Sequence, residues 1–132
     1  MANITKIKFV TDAHNRAAGG NIDAVVTWSE DVMISGVPVL NLVNDNAGPG
    51  DGRVQHLEYV EQPAPDEALF RISLGADARE NGQNGDHLTV GENAMNLNGG
   101  SVRAKVSGED ASITNNSTIG TAAGRIEVYT PA

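Results

Sequence analysis

The chain has 132 residues, with 15 Gly, 5 Pro, no Cys, 4% aromatic residues and a formal net charge of -8. That length suits one domain spanning 1–132, since single domains commonly hold roughly 100–150 residues. Without Cys there is no disulfide and no thiolate zinc site. An acidic chain is a poor partner for nucleic acid, whose phosphates must be neutralised. No apolar run approaches the ~20 residues that cross a bilayer, so no membrane partner is expected.

The N-terminus reads Met-Ala-Asn-Ile-Thr-Lys-Ile-Lys. It lacks the apolar stretch of a secretory signal, so export is not expected and the chain reads as a complete, free-standing unit. The first strand is predicted over 4–11, where Lys6 and Lys8 alternate with Ile7 and Phe9. Charges at this spacing suit an edge strand, because they discourage pairing with foreign strands. Ala17-Ala18-Gly19-Gly20 is a turn. Over 21–29, Ile22, Ala24, Val26 and Trp28 alternate with Asp23, Val25 and Thr27. One face is therefore dry, with Trp28 in the core.

Strands follow near 31–35, 37–43, 53–61, 68–75, 86–90, 101–106 and 124–130. Phe70, Ile72 and Leu74 alternate with Arg71 and Ser73, and Ile126 and Val128 alternate with Arg125, Glu127 and Tyr129. Pro63 and Pro65 suit a stiff hairpin connection between two strands. The stretches 44–52, 81–85 and 98–100 are rich in Gly, Asn and Asp, residues that tolerate positive φ and bond to nearby backbone. Single helical turns are predicted at 77–80 and 92–95. The segment 107–123 is rich in Ser, Thr, Asn and Ala and weakly patterned. It reads as a long loop, or as an arm that orders on a partner. Half-buried strands with regular turns predict an all-β antiparallel sandwich of about seven to nine strands.

Few residues suggest chemistry. His14 falls in a polar turn, His56 on a wet strand face and His87 at a strand start. Their spacing does not suggest a metal site. Ser29-Glu30-Asp31 fits a strand-to-strand turn better than acid–base work. Asn44-Asp45-Asn46 with Asp51 is one oxygen-rich loop, and Glu80, Asn81, Asn84 and Asp86 make another. Such hard oxygens suit calcium, and equally suit turns. Gly48-Pro49-Gly50-Asp51-Gly52 is not placed between strand and helix, as a phosphate cradle requires. The acceptor triplets at Asn3, Asn115 and Asn116 carry no weight without export. No catalytic, cofactor or metal residue is therefore assigned.

The run Val26-Thr27-Trp28-Ser29-Glu30, then Gly36-Val37-Pro38, then Leu40-Asn41-Leu42, resembles the bacterial immunoglobulin-like repeats of cell-surface and swimming-motility proteins. Tyr59, Leu69-Phe70-Arg71-Ile72, the loop 81–86 and Leu97-Asn98-Gly99-Gly100-Ser101-Val102 extend the likeness over 4–105. The family's closing Asp-x-x-Gly-Asn turn is replaced by Ala104-Lys105-Val106-Ser107-Gly108-Glu109-Asp110. The resemblance implies an immunoglobulin-like sandwich, a fold that hosts many roles.

Together these features point to a non-enzymatic virion structural protein, a bacteriophage capsid decoration protein assembled in the host cytoplasm. The expected partner is the major capsid protein or another virion protein. A homotrimer on a local threefold is the natural arrangement. Contacts are expected from loops 44–52 and 76–86 and from the arm 107–123. The alternative is a module of an extracellular adhesin on the cell surface, with calcium in its Asx-rich loops. Five aromatics leave too few to spare for a sugar-stacking site.

Overall fold

The computed structural model describes residues 2–11, 13–45, 56–76 and 84–130. The strands are β1 (Ile4–Phe9), β2 (Ala13–Asn15), β3 (Gly20–Trp28), β4 (Val32–Ser35), β5 (Val39–Asn41), β6 (Val43–Asn44), β7 (His56–Glu61), β8 (Glu67–Leu74), β9 (His87–Thr89), β10 (Met95–Asn96), β11 (Ser101–Ala104) and β12 (Arg125–Tyr129). One short helix, α1 (Ser117–Ala122), precedes the last strand. The fold is an all-β sandwich. One sheet runs β1-β3-β8-β7-β5-β10, a second runs β2-β12-β9-β6, and β11 pairs with β4 as a ribbon.

The order β1-β3-β8-β7 is A-B-E-D of an immunoglobulin sandwich, and β12-β9-β6 is G-F-C. Among the described strands pairing is antiparallel except between β2 and β12, which run parallel. The chain leaves the first sheet after Phe9 and enters the second at Ala13. This crossing makes the one departure, among the described strands, from the expected antiparallel pattern.

Alternation decides which side chains face inward. On β3, Ile22, Ala24, Val26 and Trp28 are buried, while Asp23, Val25 and Thr27 face outward. Ala68 and Phe70 of β8, Leu57 of β7 and Leu40 of β5 line the same inner surface. Leu88, Ile126 and Val128 oppose them from the second sheet. Full burial of each large side chain stabilises by about 1.5–3 kcal/mol. Tyr59 meets Phe70 edge-on, with ring centroids 6.1 Å apart. Outside, Arg71 grips Asp23 through Nε and Nη2 at 2.8 and 2.9 Å. The pair is cross-strand, since Asp23 and Arg71 are register partners.

Turns follow local chemistry. Asn15 Oδ1 accepts from the amides of Ala17 and Ala18. Gly19 then takes φ +74, and a Cβ there would strike the carbonyls of Leu74 and Gly75. Glycine is required at that position on both counts. The Pro63–Pro65 turn joins β7 to β8 as expected, and Glu67 N–H closes it on the Ala64 carbonyl.

Four expectations are corrected. His14, read as a surface turn residue, is only 2% exposed. It sits in β2, where pairing with Val128 holds it in place. The strand expected over 37–43 divides at Leu42 into β5 and β6, which belong to different sheets. That division, and the short β2 and β10, give more and shorter strands than the alternation alone predicts. No helical turn forms at 92–95. Asn93 adopts φ 50 and leads into β10. The segment 107–123 is no free arm, because Ala111, Asn115, Gly120 and Ala123 are buried in the domain. The turn predicted at 77–80 lies outside the described residues.

Candidate functional site

Two excursions, each returning to the second sheet, build one end of the sandwich, and their strands β5 and β10 complete the edge of the first sheet. The first leaves β3 and contains β4 and β5. The second leaves β9 and contains β10, β11 and α1. They pair with each other: β4 with β11 in the register Val32↔Ala104 through Ser35↔Ser101, and β5 with β10. Val32 and Ile34 turn inward with Val102 and Ala104, so Met33 and Arg103 must face outward. Met33 is 46% exposed and Val37, in the adjoining turn, 43%. A cleft of about 310 Å³ lies between Met33, Lys105 and the Pro63–Pro65 turn. Gln62 fixes that turn, its amide donating to the carbonyls of Val32 and Pro65.

Residues 109–112 run back along β11 and tie the second excursion down. Ala111 N–H donates to the Val102 carbonyl and Ser112 N–H to the Ala2 carbonyl, at 2.9 and 2.8 Å. The Trp28 indole N–H donates to the Ser112 carbonyl at 2.9 Å. The core tryptophan thus anchors the segment that sequence alone left loose. Asn115 follows, 4% exposed, as a polar pin. Its Oδ1 accepts from Ala94 N–H, and its amide donates to the carbonyls of Gly91 and Asn116. A buried Asn115 is not an acceptor for glycosylation in the folded protein.

Asn116 caps α1, its side chain accepting from Ile119 N–H at 2.9 Å. Gly124, at φ +84, follows the helix end. Asn before and Gly after are helix punctuation that the sequence carried. The helix was missed because its six residues, Ser-Thr-Ile-Gly-Thr-Ala, offer no apolar stripe. Gly120 seats it. A Cβ at Gly120 would collide with the Val90 carbonyl, which is backbone and cannot swing aside. In an ordinary helix Gly→Ala gains about 0.5–1 kcal/mol. Here Gly120→Ala is expected to destabilise, by about 1–3 kcal/mol, as overpacking does. A urea melt of the variant reads the sign directly.

The opposite end carries the Asx-rich turns. The described ends of both loops meet there. Asn44 and Asp86, both buried, are joined by a 2.9 Å hydrogen bond from the Asn44 amide. Asp45 accepts from His87 N–H at 2.8 Å and meets His87 Nδ1 at 2.9 Å. Asn84 accepts from Thr130 N–H. The rest of the two loops, including Asp51, Glu80, Asn81 and the Gly48–Gly52 run, lies outside the described residues. Among the described residues no group of three His, Asp or Glu side chains could hold a metal ion. His56 stands apart on the first sheet, beside Asn41. Ser29-Glu30-Asp31 joins β3 to β4, with Ser29 Oγ accepting from Asn3 N–H.

The His87 amide holds the Asp45 carboxyl below its ordinary value of 3.8, with the imidazole helping and partial desolvation opposing. A depressed folded-state pKa adds stability above the unfolded value and loses it as pH falls through the folded one. Asp45→Asn is therefore expected to lower the melting temperature slightly at pH 7. The gap from the parent closes as pH falls below about 4. Thermal melts at pH 7 and pH 3 check both halves.

Comparison of the chain with protein-family models, curated proteins and solved structures finds no match. No described helix is long and apolar enough to cross a membrane.

Proposed function

We propose that the protein is a non-enzymatic capsid decoration protein of a bacteriophage, docking on the capsid shell through the end built by the two excursions. The observation that carries this reading is the surface there. Met33 stands exposed on the paired strand β4 and Val37 in the turn that follows it, and a cleft opens between Met33 and the Pro63–Pro65 turn. Apolar side chains held on rigid elements lose little entropy on binding, so their burial goes into affinity. Stable specific contacts bury roughly 1,200–2,000 Å². The end of a sandwich supplies part of that area, and engaging several capsomers at once adds avidity.

The mechanism is mechanical. A domain seated across a junction between subunits adds interfaces that internal pressure must break. The likeness to bacterial surface repeats supports a sandwich suited to display on a particle. It also keeps the adhesin reading as the second choice.

The test is incubation with phage capsids stripped of minor proteins. Saturable, stoichiometric binding that raises the temperature of genome release supports the reading. Met33→Glu and Val37→Glu should abolish binding while leaving the melting temperature unchanged. Absence of binding, with capsid stability unaltered, sinks it. A melting temperature that climbs with added calcium would favour the adhesin module.

A further inference from the structure

We infer that the protein assembles with itself head to tail, the turn at 105–110 of one copy entering a groove on the outer face of the first sheet of the next. The groove has a volume of about 500 Å³ and is lined by Lys6, Lys8, Val10, Val25, Thr27 and Glu67. Register places Lys6 beside Thr27 and Lys8 beside Val25, with Glu67 beyond Thr27. Its floor is half apolar, since Val10 is 58% exposed and Val25 is half-buried.

The charges are unusual for this chain. Lys6 and Lys8 are two of only three lysines in a chain of net charge -8. Neither makes an ion pair or side-chain hydrogen bond with a described residue. Protection of an edge strand explains their charge. It does not explain an open groove with apolar residues beneath them.

The turn complements the groove in both respects. Val106 is 93% exposed, more than any other large apolar side chain described, and it stands at the tip of the turn after β11. Glu109 and Asp110 follow, both exposed. Asp110 meets Arg103 only at 3.8 Å, with both side chains largely in solvent. One apolar knob and two carboxylates on the turn thus face an apolar floor and two ammonium groups in the groove, the carboxylates outnumbering Lys105 on the turn and the ammonium groups outnumbering Glu67 in the groove. The turn is held rigid, with Ala104 N–H bonded to the Glu109 carbonyl and Gly108 N–H to the Ala104 carbonyl.

Knob and groove are different surfaces, so the contact is heterologous; such contacts close into rings where the rotation closes and otherwise run on as filaments. One turn in one groove buries less than a stable dimer needs. In a ring each copy uses both surfaces, and the contacts reinforce one another. A ring of three is the number that a capsid threefold would take. That number alone rests on the decoration reading, and the ring does not.

The test is sedimentation velocity on the full chain over a wide concentration range, without capsids. A concentration-dependent oligomer larger than a dimer, weakened by salt, is expected. Lys6→Glu/Lys8→Glu should weaken association by about tenfold or more. Glu109→Lys/Asp110→Lys should do the same, and combining both reversals in one chain should restore it. Val106→Asp should abolish it. Circular dichroism melts confirm that these surface variants fold. Charge reversal keeps the edge strand charged, so a purely protective role predicts no change. A monomer at every concentration overturns the proposal, as does association indifferent to either reversal. Loss of capsid binding by a protein that still forms the ring overturns only the decoration reading.

Discussion

Trp28→Ala is expected to cost about 3–5 kcal/mol, the range for truncating a buried large aromatic. Two losses combine. The side chain is 1% exposed and belongs to the central cluster with Ile4, Val26 and Phe70. Its indole N–H also holds the Ser112 carbonyl. Removing the ring opens a cavity and unties the second excursion at once. Trp28→Phe separates the terms, because it keeps most of the apolar volume and loses the donor. The Ser112 carbonyl is half-buried, so losing its partner costs at most the buried-group penalty of about 1–3 kcal/mol. Denaturant melts followed by circular dichroism give both values. The chain has one Trp, so parent fluorescence reports this site alone. Its emission should shift to the red in the same transition as the loss of strand signal. A tryptophan already solvated in the native state would contradict the packing.

Where the sequence was legible, one periodicity carried the information. The alternation Ile22, Ala24, Val26, Trp28 gave the inner face of β3 correctly, and Phe70 and Ile126-x-Val128 did the same for β8 and β12. Long strands repeat the pattern often enough to be read. Short ones do not. β2 has three residues, so nothing in Ala13-His14-Asn15 shows which way His14 faces. Its burial comes from parallel pairing with a strand more than a hundred residues away.

The change of sheet at Leu42 was equally silent. Leu40 and Leu42 keep the rhythm of one strand while the backbone passes from one sheet to the other. The segment 107–123 was hidden for another reason. Its buried residues are Ala111, Asn115, Gly120 and Ala123, either small or polar. Hydrophobic periodicity cannot register a segment that packs by close backbone approach and side-chain hydrogen bonds. The same blindness extends to the surface. Lys6 and Lys8 were legible as an edge signal, but the groove beneath them depends on Val25 and Glu67 from other strands.

Asn115 tests that second kind of packing. Asn115→Ala removes an acceptor from Ala94 N–H and a donor from the carbonyls of Gly91 and Asn116. Each buried group left unpaired costs about 1–3 kcal/mol, so a loss of about 3 kcal/mol is expected. The main chain contributes as well, because Asn93 and Asn115 exchange bonds there: Asn93 N–H donates to the Asn115 carbonyl, and Asn115 N–H to the Asn93 side chain. These survive truncation, so the helix should remain in place while its anchor weakens. Asn115→Asp is the sharper experiment. One oxygen still accepts from Ala94, but a carboxylate oxygen now faces the Gly91 and Asn116 carbonyls where a donor stood. Like partial charges and burial both disfavour the ionised form, so the folded-state pKa of the new Asp is raised. The variant then approaches the parent below the unfolded carboxylate value, where a protonated oxygen can donate to Gly91. It loses stability progressively as pH rises through the folded value. Urea melts at pH 3 and pH 7 should show a small deficit at the first and a large one at the second. A deficit independent of pH would mean that the Asn115 amide does not donate to Gly91 in the folded protein.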